Sequence, residues 1–138
     1  MKLEFNLATI IIGIAGYAFG GWTLILQTLL LFMAFDYITG VIAALFKKSN
    51  KSKSGKLSSK AGFKGLAKKI VILMICSLSY RLDLLLNAEG LLYNMVLLFY
   101  ISNEIISILE NAVAIDKIPI PNKLRAIVEN MKEEANES

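Results

Sequence analysis

Two carboxylates stand in otherwise apolar stretches of this chain. Asp36 is the single charged residue between positions 5 and 46, and Glu104 is the single one between 91 and 109. A charge within a lipid-length apolar segment is costly and is a functional group by default. Counting about 1.5 Å per residue inward from Trp22 and Leu91 places Asp36 about 21 Å and Glu104 about 20 Å deep, so the two share a level. There they could face a water-filled lumen, share a proton, or accept hydrogen bonds from Thr39, Asn103 or a lysine reaching in from a neighbouring loop. The plainer alternative is that both are protonated or hydrogen-bonded packing residues, since burial raises a carboxyl pKa. Around Glu104, the residues Tyr100, Asn103, Ser107, Glu110 and Asn111 recur at separations of three and four, which makes one polar stripe along a helix. Such a stripe lines an opening or meets partner helices, because lipid offers it no hydrogen bonds. Arg81 lies about three turns from the level of Glu104, where snorkelling to the surface is the plain reading.

Other chemistries are excluded by composition. Cys76 is the only cysteine and there is no histidine, which removes an intramolecular disulfide and the usual zinc, haem and Cys/His nucleophile sites. No phosphate-binding glycine loop, HExxH or GxSxG occurs. We therefore expect no cofactor, no metal and no enzyme activity. The remaining strong signal is basic: Lys47, Lys48, Lys51, Lys53, Lys56, Lys60, Lys64, Lys68 and Lys69 occupy 47–69 with no acid among them. Each lysine near an anionic bilayer adds on the order of 1 kcal/mol, so lipid headgroups are the expected partner. Interleaved aromatics of a nucleic-acid groove are missing, and no nucleic acid is expected.

The elements that must position these groups follow from the composition. Of 138 residues, 56% are hydrophobic and 19% charged, with mean hydropathy +0.60; soluble domains carry roughly 25% charged residues. Four segments approach the roughly 20 residues that span a bilayer: 5–20, 22–46, 68–87 and 91–110. The first is short and could span or form a re-entrant hairpin, which leaves three or four spans. It reads as a retained segment rather than a signal peptide, since Met1 to Glu4 carry no net charge. Gly13, Gly16 and Gly20, and Gly40 with Ala44, have the small-residue spacing that lets helices approach closely in lipid. The lysine-rich loop 47–69 should stay in the cytoplasm, which fixes the direction of the later spans and returns the C-terminus to the cytoplasm. Within that loop Leu57, Phe63, Leu66 and Ile70 fit a short amphipathic helix in the interface. In the tail 113–138, Pro119 and Pro121 end the fourth helix. Asn122 is placed to cap a last helix, 123–134, whose stripe is Leu124, Ile127, Val128 and Met131. The expected fold is an all-α integral membrane protein of three to four transmembrane helices, oligomeric, with residues 1–112 as the membrane domain and an amphipathic tail.

Four stretches together resemble one family: DYITG at 36–40, SSKAGFKGLAKKI at 58–70, FYISNEIISILENA at 99–112 and PIPNKLRAIVENMK at 119–132. In order and spacing they are similar to the phage lysis holins that include the clostridial toxin-secretion holin-like proteins. The resemblance covers about residues 22 to 134. It implies a protein that inserts in the bacterial cytoplasmic membrane, forms a homo-oligomer, and opens lesions that release endolysin or a large toxin. Carried over by position, the family motifs fall on Asp36, Thr39 and Gly40, on Gly62, Gly65, Lys68 and Lys69, and on Asn103, Glu104, Glu110 and Asn111. Two other readings fit the same carboxylates. One is a small proton-coupled transporter; the other is a non-conducting assembly factor whose stripe contacts a different protein.

Overall fold

A computed structural model describes residues 6–46, 58–115 and 118–137, and its regular elements are five helices. Helix α1, Leu7–Phe19, starts where Asn6 accepts a hydrogen bond from the Thr9 amide at 2.9 Å. It stops at Gly20, whose φ of 76° is left-handed, and the Gly20 and Gly21 amides return to the Gly16 and Ala15 carbonyls in the usual closing turn. A Cβ on Gly20 would lie 2.5 Å from the Tyr80 ring, so a side chain is excluded twice over. Helix α2, Leu24–Leu45, is capped by Thr23, and α3, Ser59–Leu86, by Ser58. Asn87 closes α3 in the left-handed region, and α4, Leu91–Ala114, follows at once. Helix α5, Asn122–Glu137, begins after the two prolines.

Three boundaries differ from the sequence expectation. Helix α3 has 28 residues, about 42 Å of continuous helix. The stretch holding Phe63, Leu66 and Ile70 is thus the first part of the third apolar helix and not a separate interfacial one, while Leu57 lies outside the described residues. Good helix formers (alanine, leucine and lysine) surround Gly62 and Gly65, and two glycines alone do not stop such a run. Helix α4 continues past 110 to Ala114. Asn122 is the first helical residue of α5, whose opening turn is closed by the Pro121 carbonyl accepting from the Leu124 and Arg125 amides at 2.9 and 3.1 Å.

Helix α4 is the centre of the bundle. It packs along α2 most extensively and then along α3, while α1 lies on α3 and α5 meets α4. One buried stripe on each helix makes this possible. On α2 it runs Leu26, Leu29, Met33, Asp36, Ala43; on α3 Ile72, Cys76, Ser79, Asp83; on α4 Tyr93, Leu97, Ile101, Glu104, Asn111. Spacings of three, four and seven keep each stripe on one face. The apolar parts of the α2 and α4 stripes form the core with Ile72 and Cys76 of α3 and with Ala15; Ser79 and Asp83 are polar toward the α3–α4 turn, and Asp36, Glu104 and Asn111 are polar toward the end where α2 stops and α3 starts. The outward faces remain apolar, with Leu31, Ile38, Leu78, Leu85, Met95 and Leu98 exposed. By length and composition α2 and α4 can each cross a membrane. Helix α1, with 13 residues, measures about 20 Å; α3 is long enough but carries Lys68, Lys69, Arg81 and Asp83.

Candidate functional site

The polar residues of the α2 and α4 stripes converge on one ammonium group of α3. Lys69 Nζ lies 2.8 Å from Asp36 Oδ2 and 2.5 Å from Glu104 Oε2, so a cation on α3 joins carboxylates on α2 and α4. All three are largely withdrawn from solvent: the side chains of Lys69, Asp36 and Glu104 are 12%, 8% and 7% exposed. Asn111, two turns beyond Glu104, adds a neutral tie. Its Nδ2 donates to Asp36 Oδ1 at 3.1 Å, to the Asp36 carbonyl at 3.2 Å and to Thr39 Oγ1 at 3.0 Å. Thr39 in turn donates to the Phe35 carbonyl at 2.8 Å, which spends its hydrogen inside its own helix and leaves its oxygen to accept. Charge-assisted bonds between ionised groups are the strong class. In a low-dielectric surrounding, losing one partner exposes the others to the full desolvation cost.

The equal depth counted for Asp36 and Glu104 agrees with a single ammonium reaching both. Lys69 is the surprise among the lysines. Expected at lipid headgroups, its amine is turned inward to the two carboxylates, because position 69 lies three residues before Ile72 on the buried stripe 69, 72, 76, 79, 83. Lys60 and Lys68 are exposed, as is Lys64. Lys47, Lys48, Lys51, Lys53 and Lys56 lie outside the described residues.

The expected polar stripe of α4 is divided. Glu104 and Asn111 face inward and are satisfied within the chain; Ser107 and Glu110 are half-buried, and Asn103 is exposed. Tyr100 packs edge-on to Phe99 with ring centroids 5.3 Å apart. Gly40, Ala44 and Ser107 line a cleft that opens between α2 and α3 and is lined by Asp36, Lys69 and Glu104 as well. Of the three glycines expected to pack helices on the first segment, only Gly20 meets another helix of this chain, at the Tyr80 ring of α3. A Cβ at Gly13 or Gly16 would meet nothing within 4 Å, and Gly20 serves as a helix cap.

Arg81 is far from Glu104, as the turn count implied, and its head group lies at the exposed end of α1. Its Nη2 donates to the Tyr17 carbonyl at 2.8 Å and its guanidinium lies 4.1 Å from the Tyr17 ring centroid. Ser77 Oγ donates to the Ala18 carbonyl at 2.9 Å, so α3 satisfies the carbonyls that α1 leaves open at its end. Asp83 acts at the α3–α4 turn. It accepts from the Gly90 amide at 2.7 Å and from the Tyr93 amide at 3.0 Å, and so caps α4 from the preceding helix. An acid seven residues ahead of a glycine that opens a helix is the available signal for this. Among the described residues no group of side chains is placed to hold a metal ion.

Comparison with known proteins gives a consistent result. The model of the bacteriophage holin family matches residues 13–133. An uncharacterized protein of Listeria monocytogenes is 39% identical over 115 residues, which cover 83% of this chain and 76% of that one. An uncharacterized 14.9 kDa protein of Clostridium perfringens, from the 3′ region of nagH, is 40% identical over 116 residues, with coverage of 83% and 82%. The uncharacterized Bacillus subtilis protein YtkC is 30% identical over 128 residues, with coverage of 93% and 90%. No solved structure matches.

Proposed function

Because this chain belongs to the bacteriophage holin family, we propose that it oligomerises in the bacterial cytoplasmic membrane and opens lesions through which endolysin or a large toxin leaves the cell. The family is not an enzyme family, and the apolar outer faces of α2 and α4 fit a membrane protein. In our reading α2, α3 and α4 span, the lysine-rich segment and the tail lie in the cytoplasm, and α1 lies against the outer half of α3.

The observation that carries the reading is the Asp36–Lys69–Glu104 cluster. Copies that accumulate in a membrane must not leak before they assemble, and a subunit whose intramembrane charges are paired internally can stay in lipid as a closed unit. Assembly then draws on the outer faces, where Asn103 is exposed and the small residues Gly13 and Gly16 are uncovered. Opening requires the cluster to change partners, from Lys69 to water or to a neighbouring subunit. A proton-coupled carrier would need carboxylates free to load and unload, whereas here one lysine holds both.

The test is to induce the protein alone in bacteria and follow membrane potential and release of a cytosolic enzyme. Abrupt release of the folded enzyme after a silent period is the expected result. Coupled small-cation flux without release would establish a carrier instead, and neither response would leave an assembly factor. Glu104→Leu, which removes charge and hydrogen bonding, should shift the onset of release. Glu104→Gln should shift it too if the charge is what matters, and should match the parent if the hydrogen bond alone does. Unchanged timing in both variants would remove Glu104 from the mechanism.

A further inference from the structure

Between the C-terminal half of α2 and the first turns of α3 lies a cleft of about 830 Å³. That lies within the span of roughly 300–1,000 Å³ over which proteins hold small organic ligands. Tyr37, Val41 and Ala44 are the apolar and aromatic part of its α2 wall, and the Asp36–Lys69–Glu104 cluster, whose charges are paired with one another, also lines it. On the α3 side Gly62 and Gly65 keep it open: a Cβ on Gly65 would meet nothing within 4 Å, and one on Gly62 would touch the Tyr37 hydroxyl at 3.4 Å. Lys64 and Lys68 stand at the same cleft, one helical turn apart on one face of α3. Neither makes an ion pair among the described residues, in contrast to Lys69, which is committed to Asp36 and Glu104.

Outside the cleft, both helices are apolar and exposed. Ile38 and Ile42 flank it on α2, and Leu66 and Ile70 on α3. An occupant therefore has to be apolar along most of its length and anionic at one end. Inorganic phosphate or a nucleotide would match the two ammonium groups and leave the walls uncovered. An inserted peptide would bring a row of backbone donors and acceptors, for which the lining offers only the scattered hydroxyls of Tyr37, Ser58, Ser59 and Ser107 beside a cluster already engaged with itself. We propose that the cleft holds one anionic phospholipid, its phosphate on Lys64 and Lys68 and the upper part of an acyl chain against Tyr37, Val41 and Ala44. The proposal rests on the membrane placement given above and adds to it a defined lipid site, distinct from the diffuse attraction of a lysine-rich surface.

The test uses the full chain carrying Trp22→Phe and Phe63→Trp, which moves its single tryptophan to the cleft. The protein is reconstituted in phosphatidylcholine vesicles containing a minor share of either brominated phosphatidylglycerol or brominated phosphatidylcholine. Stronger quenching by the brominated phosphatidylglycerol at equal mole fraction is expected. Lys64→Gln and Lys68→Gln should each reduce that preference about fivefold, and Lys60→Gln, off the cleft, should leave it intact. Gly65→Leu keeps every charge and fills the space, and should abolish the preference. If that variant fails to insert, the paired Lys64→Gln and Lys68→Gln change, compared with Lys60→Gln, decides the matter. Equal losses at positions 60, 64 and 68 would overturn the proposal in favour of a diffuse basic surface. So would relief of the quenching by dissolved glycerophosphate, which would mean a free-phosphate site, or a cross-link from the cleft to α5 of another copy. The readout is independent of lysis: lost selectivity with intact lysis removes the lipid site alone, and lost lysis with intact selectivity removes the lesion-forming role alone.

Discussion

Replacing Lys69 by Met keeps length and removes the charge, leaving Asp36 and Glu104 facing each other without their shared cation. Breaking a buried ion pair from one side costs about 3–5 kcal/mol, so Lys69→Met should unfold at markedly lower temperature in detergent. Adding Asp36→Asn and Glu104→Gln to that variant should recover most of the loss, because no ionised carboxylate then remains to desolvate. A Lys69→Met protein as stable as the parent would mean that the cluster does not hold the three helices. The residue scale also shows what could be read in advance. Depth counting put both carboxylates at one level, since a helix rises by a fixed amount per residue. Lys69 was grouped with the headgroup lysines because Lys68 and the preceding run are adjacent in sequence. Helical periodicity assigns it differently, three positions before Ile72. The pairing of Arg81 with the Tyr17 carbonyl, across 64 residues of chain, was not legible, because it depends on where α1 happens to end.

At the scale of the elements, the helices were legible from apolar length and from their caps, and the errors lie at their ends. The start of α3 was obscured by lysines, which read as loop when counted by charge and as helix when counted by propensity. Its junction with α4 carries a testable claim. Asp83 supplies two hydrogen bonds to amides that α4 cannot satisfy itself. A hydrogen bond to an ionised group contributes about 1.5–3 kcal/mol, so Asp83→Ala should lower the thermal midpoint and speed hydrogen exchange in the first turn of α4. Asp83→Asn, which keeps one acceptor, should fall between the two. If exchange at Gly90 and Tyr93 is unchanged in Asp83→Ala, the cap is not what holds the hairpin closed.

For the whole molecule the direction of insertion is the first question. A cysteine at Ser54, with Cys76 replaced, should resist an impermeant thiol reagent outside intact cells, as the positive-inside tendency requires; labelling there would reverse the topology. The tail is the second question. Helix α5 is polar apart from its stripe, of which Val128 is buried while Ile127 and Met131 remain exposed. Truncation after Asn122 should leave insertion and some lysis intact and move the onset of lysis. A truncated protein that inserts but never permeabilises would place α5 in the assembling core. The order of the clustered charges along the chain is acid, base, acid, with 33 residues from Asp36 to Lys69 and 35 from there to Glu104. At a synthesis rate of about 5–20 residues per second, Asp36 waits roughly 2–7 s for its lysine, and Glu104 arrives after a similar interval. If α2, α3 and α4 span as proposed, the lysine would follow the first acid into the bilayer, and the second acid would arrive where the first already had its cation.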